Sequence, residues 1–367
     1  MRNPKERIVA GILLLAVLFF IYSLAVSSAS EPKTSASAAV LYEPITETFV
    51  IEKDANKRLP MASTTKIMTA LVAIEHFPLD KSVRVADEAI GIEGSSLYLK
   101  NGEIFTMEEL LYSLMLRSAN DAAVAIAYAV AGGIVEFASL MNSKCNELGL
   151  KDTHFTNPHG LDDDSHYTTA KELAIIAAEA MKNDTFKNIV STKSITVGDD
   201  PPRLISNHNK LLSLCDGANG IKTGFTKRSG RCLVGSCERD GLSFISVTIN
   251  APDDWNDHIA MFDYGYTLLT CLHGASAHEI TYDIPIVGST SGSIRVSNAE
   301  PFFFITKNDG SILEKHVKLQ RYTSAPIKRG DILGCVIFTL NGEYVGAIDL
   351  TAETDVTLSK NKKSSKH

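Results

Sequence analysis

Apolar residues between positions 61 and 181 recur mostly at the spacing of helices. Two pairs, Thr106 with Glu109 and Thr169 with Glu172, have the spacing of a capping box, which predicts that helices begin next to them. Glycines after several of the apolar runs predict where those helices end. The predicted helices are residues 61–76, 107–116, 121–131, 134–148 and 173–181.

Runs of β-branched and aromatic residues between turn signals predict strands on both sides of this helical region. One hairpin is predicted near residues 38–51, and another over residues 232–250 with its turn at Asp240 and Gly241. A helix over 262–271 is expected to close this part of the chain. From about residue 276, short apolar segments broken by Gly, Pro and Ser predict a small all-β domain. The strands expected there are residues 284–287, 293–296, 302–306, 332–340 and 343–350.

The first 30 residues have the pattern of a membrane-targeting segment. Arg2, Lys5 and Arg7 precede an uncharged run over residues 8–26. A cleavable signal usually has an apolar stretch of roughly 7–15 residues, whereas a membrane span needs about 20. The length favours an uncleaved anchor, while the small residues that follow leave cleavage after Ala29 open. In both cases the rest of the chain is expected outside the cytoplasm and associated with the cell membrane.

Composition and charge exclude some classes of function. A chain of 367 residues suits one large domain and one smaller domain, and a net charge of -7 without a basic stripe argues against a nucleic-acid partner. Cys232 and Cys237 are five residues apart on one predicted strand, so they face opposite sides and cannot bridge each other. The six cysteines could pair outside the cytoplasm, but their spacings match no disulfide framework and no zinc site, and we favour small buried apolar residues.

Three short motifs carry the candidate chemistry. Ser63 and Lys66 are three residues apart on a predicted helix, so the amine can lie beside the hydroxyl and take its proton when desolvated. Alone, this spacing more often marks a surface pair. Ser118 and Asn120 fall between two predicted helices, where a helix cap is the ordinary explanation. Residues 222–224 (Lys-Thr-Gly) lead into the second hairpin. The three motifs together, in this order, are typical of penicillin-binding proteins and class A β-lactamases.

The chain from about residue 38 to residue 350 resembles the D-alanyl-D-alanine carboxypeptidase family of low-molecular-mass penicillin-binding proteins. The resemblance is carried by residues 58–70, 117–123 and 216–226. It implies an α/β (α+β) catalytic domain of the serine β-lactamase and transpeptidase type, with helices and an antiparallel sheet, beside the small all-β domain. The expected divisions are a signal or anchor at 1–30, the penicillin-binding domain at 35–272, the β-rich domain at 276–356 and a basic tail at 357–367.

The resemblance also implies the role of each motif residue. Ser63 is the acylated nucleophile and Lys66 is its base, while Ser118 and Asn120 relay protons and hold the substrate amide. The residues implied to bind the substrate are Lys222, Thr223, Gly224 and Phe225, the last through its backbone N–H. The implied partners are peptidoglycan peptides that end in D-alanyl-D-alanine and β-lactams as covalent inhibitors, with no cofactor and no metal. A loop over residues 156–167, which contains His159, is expected to influence deacylation.

Several positions depart from the family pattern. His208 stands where some relatives have arginine, and residues 253–258 lack the arginine that helps many relatives bind the substrate carboxylate. Arg231 or His258 is expected to replace it. The amphipathic C-terminal membrane helix of the family is missing, which supports an N-terminal anchor.

Other functions of the same fold stay open. A D,D-endopeptidase or transpeptidase uses the same acyl-enzyme. A β-lactamase needs an added deacylation base, and the residues after Glu172 do not fit that pattern. A non-catalytic wall-binding protein has no reason to retain Lys66 beside Ser63.

Overall fold

The computed structural model describes residues 30–199 and 201–359, so the predicted anchor over 8–26 and most of the basic tail lie outside the described residues. The helices in these ranges are α1 (Lys66–His76), α2 (Met107–Leu116), α3 (Asn120–Ala131), α4 (Ile134–Glu147), α5 (Ala170–Ala180), α6 (Asp184–Ser191), α7 (Leu211–Leu214) and α8 (Asp254–Leu268).

The strands of the first part of the chain are β1 (Ala38–Glu43), β2 (Thr48–Lys53), β3 (Ser82–Arg84), β4 (Ile104–Thr106), β5 (Ser194–Val197), β6 (Arg203–Ser206), β7 (Ala218–Thr226), β8 (Gly230–Arg239) and β9 (Leu242–Ile249). Those that follow α8 are β10 (Leu269–Ala275), β11 (Thr281–Val287), β12 (Ser293–Ser297), β13 (Phe302–Lys307), β14 (Leu313–Leu319), β15 (Thr323–Ser324), β16 (Ile332–Leu340) and β17 (Glu343–Ala352).

A five-stranded antiparallel sheet, ordered β2-β1-β9-β8-β7, is the centre of the first domain. Alternate residues of each strand point to opposite faces. On one face Val40 and Val247 join the core built from helices α1 to α6, and on the other face Leu41 and Phe244 pack with α8. Burial on both faces explains the nearly continuous apolar runs in β1 and β9. Strand β7 is left at one edge of the sheet.

The helix predictions are confirmed with small differences at the ends. Thr106 and Glu109 form the predicted capping box. The second capping box is only half formed, because Thr169 accepts from the Glu172 N–H while the Glu172 carboxylate accepts from the backbone N–H of Lys151. That carboxylate therefore anchors the loop before α5 instead of the helix end.

The predicted closing helix over 262–271 is wrong in its bounds. Helix α8 begins at Asp254. Asp254 and Asp257 lie in its first turn, where the positive end of the helix dipole stabilises their negative charges. It ends at Leu268, because the following residues pair as β10 with β13. The acidic start has few apolar residues, which is why periodicity alone missed it.

The C-terminal part of the chain is the predicted all-β domain. Its six-stranded sheet is ordered β14-β16-β17-β12-β11-β15 and covers a separate apolar core that includes Val336, Phe338 and Leu350. Strand β14 was not predicted, since most of its side chains are exposed and show no alternation. The short strands β3 to β6 and helix α6 were missed for the same reason, because each has only a few buried positions.

Among residues 30–199 and 201–359, we find no single helix with the length and apolar composition of a membrane span. Helices α3 and α4 have that length and composition only when they are taken together, and the pair is bent by 82°.

Candidate active site

Three separated segments of the chain meet at one cleft of about 390 Å³. Ser63 lies in a 3₁₀ turn, Ala62–Thr65, directly before α1, Ser118 lies between α2 and α3, and Thr223 lies on β7. The residues that line the cleft are Ser63, Ser95, Ser118, His208, Lys210, Thr223, Gly224, Phe225, Arg231, Asp254 and Trp255. The cleft thus brings together residues from all three motifs.

The turn that carries Ser63 is fixed by two threonines. Thr64 Oγ1 donates to the carbonyl oxygen of Met61 at 2.6 Å, and Thr65 Oγ1 donates to that of Ala62 at 2.8 Å. Ala62 has a φ of 49°, a left-handed conformation that costs an alanine about 1–3 kcal/mol. The surrounding hydrogen bonds offset this strain. The 3₁₀ turn stands where the sequence predicted the first turn of an α-helix.

Two glycine backbones enclose this turn. A Cβ atom at Gly224 would lie 3.1 Å from the backbone nitrogen of Ser63, and one at Gly160 would overlap the carbonyl oxygen of Ala62. Gly160 also has a φ of 87°, which other residues rarely adopt. Gly160 therefore has to be glycine for its loop to approach the nucleophile, and at Gly224 the absence of a side chain leaves β7 room beside the same turn.

Lys66 is buried and its amine nitrogen has three oxygen neighbours. Nζ lies 3.0 Å from Ser63 Oγ, 2.7 Å from Asn120 Oδ1 and against the carbonyl oxygen of His159. Burial lowers the pKa of Lys66 well below its usual range, and the charge of Lys222 lowers it further. A neutral amine has two N–H donors and one lone pair, so it can donate to two of these oxygens and accept the Ser63 proton.

The second motif places an amide beside that amine. Asn120 is buried at the start of α3, and its Nδ2 donates to the carbonyl oxygen of Glu93, which fixes Oδ1 toward Lys66. Ser118 has a φ of 63°, and its side chain faces the cleft. A strained backbone at a cleft residue is common in active sites.

Asp121, next to Asn120, is a buried carboxylate whose importance the sequence did not reveal. It accepts hydrogen bonds from the backbone N–H of Leu97 and Leu99 and from Ser96 Oγ at distances between 2.6 and 3.1 Å. It thereby fixes the segment that includes the cleft residue Ser95.

The predicted loop over 156–167 contacts the site through its backbone. The carbonyl oxygen of His159 accepts from Lys66, whereas the His159 ring accepts from the Leu161 N–H at Nδ1. Burial lowers the pKa of His159 to about 3, so the ring is neutral at pH 7.

His166 connects the same loop to the nucleophile turn, and no sequence motif marks this residue. Its Nε2 lies 2.7 Å from Thr65 Oγ1, whose own proton is donated to Ala62, and its Nδ1 accepts from the Thr156 N–H at 3.1 Å. The ring must therefore carry its proton on Nε2. Burial lowers the pKa of His166 to about 4, which keeps it neutral.

Lys222 is buried beside the cleft residue Thr223. Its Nζ donates to the Thr223 carbonyl oxygen at 2.9 Å, and only 1% of the residue is exposed. Burial lowers the pKa of Lys222 to about 7. A carboxylate that enters the cleft would favour the charged form of this amine.

Arg231 and His258 occupy very different environments. Arg231 lines the cleft, where its Nη2 bonds Asp254 Oδ1 at 2.7 Å and its guanidinium lies 5.7 Å from the centre of the Trp255 ring. His258 is fully buried, with its ring nitrogens 2.6 Å from Ser246 Oγ and 2.9 Å from Thr248 Oγ1. Burial lowers its pKa to about 3. Of the two expected replacements for the family's arginine, Arg231 alone faces the cleft.

His208 also lines the cleft and is neutral. Burial lowers its pKa, as do the nearby charges of Lys222 and Arg117. No cluster of three potential metal ligands occurs in the part of the chain that the structure describes.

Comparison with known proteins gives matches over both domains. The D-alanyl-D-alanine carboxypeptidase family model matches residues 25–253, and the model of the penicillin-binding protein 5 C-terminal domain matches residues 276–358. The chain is 31% identical over 341 residues to D-alanyl-D-alanine carboxypeptidase DacF of Bacillus subtilis, with 89% of this chain and 87% of that protein covered.

Two solved structures show the same architecture. The D-alanyl-D-alanine carboxypeptidase DacD of Francisella tularensis is 25% identical, with a TM-score of 0.63 and with 90% of this chain and 95% of that chain covered. The DD-transpeptidase of Streptomyces K15 is 32% identical, with a TM-score of 0.61 and with 65% of this chain and 100% of that chain covered.

Proposed function

Because the chain belongs to the D-alanyl-D-alanine carboxypeptidase family and is an enzyme of that type, we propose that Ser63 carries the acyl group when it releases the terminal D-alanine from peptidoglycan peptides. The family acts on peptides that end in D-alanyl-D-alanine, and it binds β-lactams. The observation that carries the proposal is the distance of 3.0 Å between the buried amine of Lys66 and Ser63 Oγ, which lines the cleft.

Acylation begins with a proton transfer from Ser63 to neutral Lys66. The Ser63 oxygen then attacks the carbonyl carbon between the two D-alanine residues, and the backbone N–H groups of Ser63 and Phe225 stabilise the oxyanion. Lys66 returns the proton to the leaving amine through the Ser118 hydroxyl, and free D-alanine departs. Phe225 is 65% exposed at the rim of the cleft, and its backbone N–H is the group that takes part in this step.

Hydrolysis of the acyl-enzyme follows with water as the nucleophile. Lys66 takes a proton from the water and returns it to Ser63 when the ester bond breaks, which restores the starting state. The loop with His159 and His166 supports both steps, because it supplies one acceptor to Lys66 and fixes Thr65 beside Ser63.

The terminal carboxylate of the substrate lies against Lys222, Thr223 and Arg231. Charge-assisted hydrogen bonds to a carboxylate are stronger than neutral ones. Arg231 uses Nη2 for Asp254, and its remaining donors are available to the substrate. The edge position of β7 also provides unpaired backbone groups with which an extended peptide can pair.

The carboxylate contacts predict that the enzyme distinguishes a free acid from an amide. A peptide that ends in D-alanyl-D-alanine amide should react more slowly than the acid by roughly 10- to 150-fold, because one charge-assisted contact contributes roughly 1.5–3 kcal/mol. The deficit should become smaller in Lys222→Ala, which loses one of the two cations beside the carboxylate, and the part that remains is assigned to Arg231. The measurement is kcat/KM for release of D-alanine and of D-alanine amide.

Lys227→Ala is the matched control, since Lys227 is exposed in the turn of the same hairpin and should retain the parent preference. The preference should also decline as pH rises through about 7, because the Lys222 pKa of about 7 means that the free enzyme loses the cation above it. Equal rates for acid and amide in the parent enzyme would contradict a carboxypeptidase site and favour the D,D-endopeptidase or transpeptidase alternative.

The transpeptidase alternative has one specific observation behind it. Relatives from Streptomyces K15 carry both names, D-alanyl-D-alanine carboxypeptidase for a sequence 31% identical and DD-transpeptidase for a structure 32% identical. Both activities begin with the same acyl-enzyme and differ in whether water or an amine accepts the acyl group. The two activities can be separated in the D-alanine release assay. An amine acceptor is added, and a transfer product is detected if the enzyme is a transpeptidase.

The β-lactamase alternative has no such observation. The Glu172 carboxylate is occupied by the backbone N–H groups of Lys151 and Asp152 and by Thr153 Oγ1, and Glu172 does not line the cleft. It is therefore not available to activate a deacylating water.

Residues 35–272 are proposed to be the catalytic unit, and residues 276–356 a second unit. All of the cleft residues fall within the first range, and the apolar core that starts at Ala275 is separate from the two cores of that unit, although Ile305 of the second range packs in one of them.

The family's action on the cell wall places the enzyme outside the cytoplasm, and residues 8–26 are proposed to attach it to the cell membrane. Ser35 bonds the Asp257 carboxylate through its N–H and its hydroxyl, so the hydrogen-bonded fold includes the chain from about this residue. A chain that starts at Ser35 should stay soluble without detergent. N-terminal sequencing of the native protein should begin at or near Met1, whereas a start near Ser30 would indicate a cleaved signal.

A further inference from the structure

Away from the catalytic cleft, two cysteine thiols share one carbonyl group at the start of β7. Cys215 Sγ lies 3.7 Å from the carbonyl oxygen of Asp216, and Cys237 Sγ lies 3.3 Å from the same oxygen. The Arg239 guanidinium contacts both groups, with Nε 3.0 Å from that oxygen and Nη2 3.5 Å from Cys215 Sγ. Both thiols are free in this structure.

The backbone explains why these two residues meet. The N–H of Ala218 donates to the carbonyl oxygen of Cys215 at 3.2 Å, which closes a four-residue turn whose ends lie within about 7 Å. Ala218 is the cross-strand partner of Cys237. Directly paired residues in an antiparallel sheet have Cα atoms about 4.5–5.5 Å apart. The turn therefore brings Cys215 towards the end of β8, where the side chains of Cys215 and Cys237 belong to the same apolar core and both sulfurs face the Asp216 carbonyl oxygen.

Gly217 keeps the space around the sulfurs open. It has a φ of 78°, and a Cβ atom there would lie 3.2 Å from Cys237 Sγ and closer still to the Glu238 carbonyl oxygen. A side chain at this position would push the turn away from β8. The glycine thus allows the contact on which a bond between the two sulfurs depends.

We propose that Cys215 and Cys237 form a disulfide bond outside the cytoplasm. The bond would close a loop over residues 215–237, which contains the whole of β7 and most of β8. Lys222, Thr223 and Arg231 all lie within that loop. The disulfide would therefore fix the ends of the hairpin that forms one wall of the catalytic cleft.

The chemistry needs an external two-electron oxidant, which is a protein disulfide of the cell envelope or a small-molecule disulfide. The Cys215 thiolate attacks one sulfur of that oxidant, so its S–S bond breaks and one thiolate leaves. The Cys237 sulfur then loses its proton and attacks Cys215 Sγ, so the second thiolate leaves and the Cys215–Cys237 bond forms. The two protons pass to the departing thiolates, and the oxidant ends as two thiols.

The surroundings assign different roles to the two thiols. The neighbouring Cys237 thiol lowers the pKa of Cys215, and the Arg239 guanidinium lowers it further. The neighbouring Cys215 thiol and burial raise the pKa of Cys237. The thiolate is the nucleophile in disulfide exchange, so Cys215 acts first and Cys237 completes the bond.

Cys232 provides the matched control on the same strand. It is fully buried on the opposite face of the sheet from Cys237, and burial raises its pKa to about 11. Its sulfur contacts carbonyl oxygens, and neither Arg239 nor another thiol is among its hydrogen-bond partners. We expect it to remain reduced when the other pair is oxidised.

The experiment maps disulfides in the full chain, first reduced and then treated under native conditions with glutathione disulfide. After acid quench, alkylation and digestion, mass spectrometry should detect a Cys215–Cys237 linked peptide that is two hydrogen atoms lighter than its reduced parts and is lost on reduction. Cys215→Ser and Cys237→Ser should each abolish it, and Cys232→Ser should retain it. Alkylation of all the cysteines after oxidant treatment, or linkage of a different pair, would overturn the proposal. If a serine variant fails to fold, the map of the parent protein decides.

Discussion

Replacing Ser63 with alanine is expected to abolish covalent labelling by penicillin and to lower kcat for D-alanine release on the order of 10⁴- to 10⁶-fold, as nucleophile removal does in other serine peptidases. The reason is that Ser63 Oγ is the hydroxyl that lies 3.0 Å from the buried amine of Lys66. In the parent enzyme, mass spectrometry should find the penicillin adduct on the peptide that contains Ser63.

Ser143→Ala is the matched control for this change. Ser143 is exposed on α4, and its hydroxyl donates only to the carbonyl oxygen of Ser139, so labelling should be unchanged. An adduct on any other residue of the parent, or labelling that persists in Ser63→Ala, would refute the assignment of the nucleophile.

Replacing Lys66 with methionine should lower the rate of Ser63 acylation by about 10²- to 10⁴-fold, the usual contribution of a general base. Methionine has a similar length but no proton acceptor at this position. Lys66→Arg is the sharper variant, because arginine stays charged and cannot accept the proton. If Lys66 is a base, both variants lose activity. Activity restored by arginine would instead assign Lys66 the role of a fixed positive charge.

The pH dependence of acylation gives an independent test of the same role. Lys66 acts in its neutral form, and burial lowers its pKa well below the usual range, so the rate should rise with pH until that pKa is passed. The rising part of the profile should be absent in both variants. Since Lys66 contacts Asn120 and His159 as well, thermal unfolding of each variant should be compared with that of Lys187→Met, which changes an exposed lysine on α6.

The parts of the site that the sequence predicted are those defined by local spacing and motif order. Ser63 and Lys66 are three residues apart, so a helical turn alone brings them together, as the structure confirms for their contact. The order of the three motifs indicated that Ser118 and Thr223 share a cleft with Ser63, and they do.

The parts that the sequence did not predict depend on contacts between distant residues. His166 lies 101 residues from the Thr65 that it fixes, and no local pattern marks one histidine of a polar loop. The same is true of Cys215 and Cys237, whose spacing in the sequence matches no disulfide framework. The choice of Arg231 over His258 needed the sheet register and the burial of each side chain.

The two glycine backbones around the nucleophile turn restrict how this enzyme can evolve. A Cβ at Gly160 would overlap the carbonyl oxygen of Ala62, so a side chain there must displace the nucleophile turn, whereas a Cβ at Gly224 would only crowd the backbone nitrogen of Ser63 at 3.1 Å. Phe225, one residue further along β7, contributes through its backbone and leaves its ring exposed. Heritable variation in substrate or drug preference should therefore accumulate at position 225 and the cleft rim, while position 160 stays glycine.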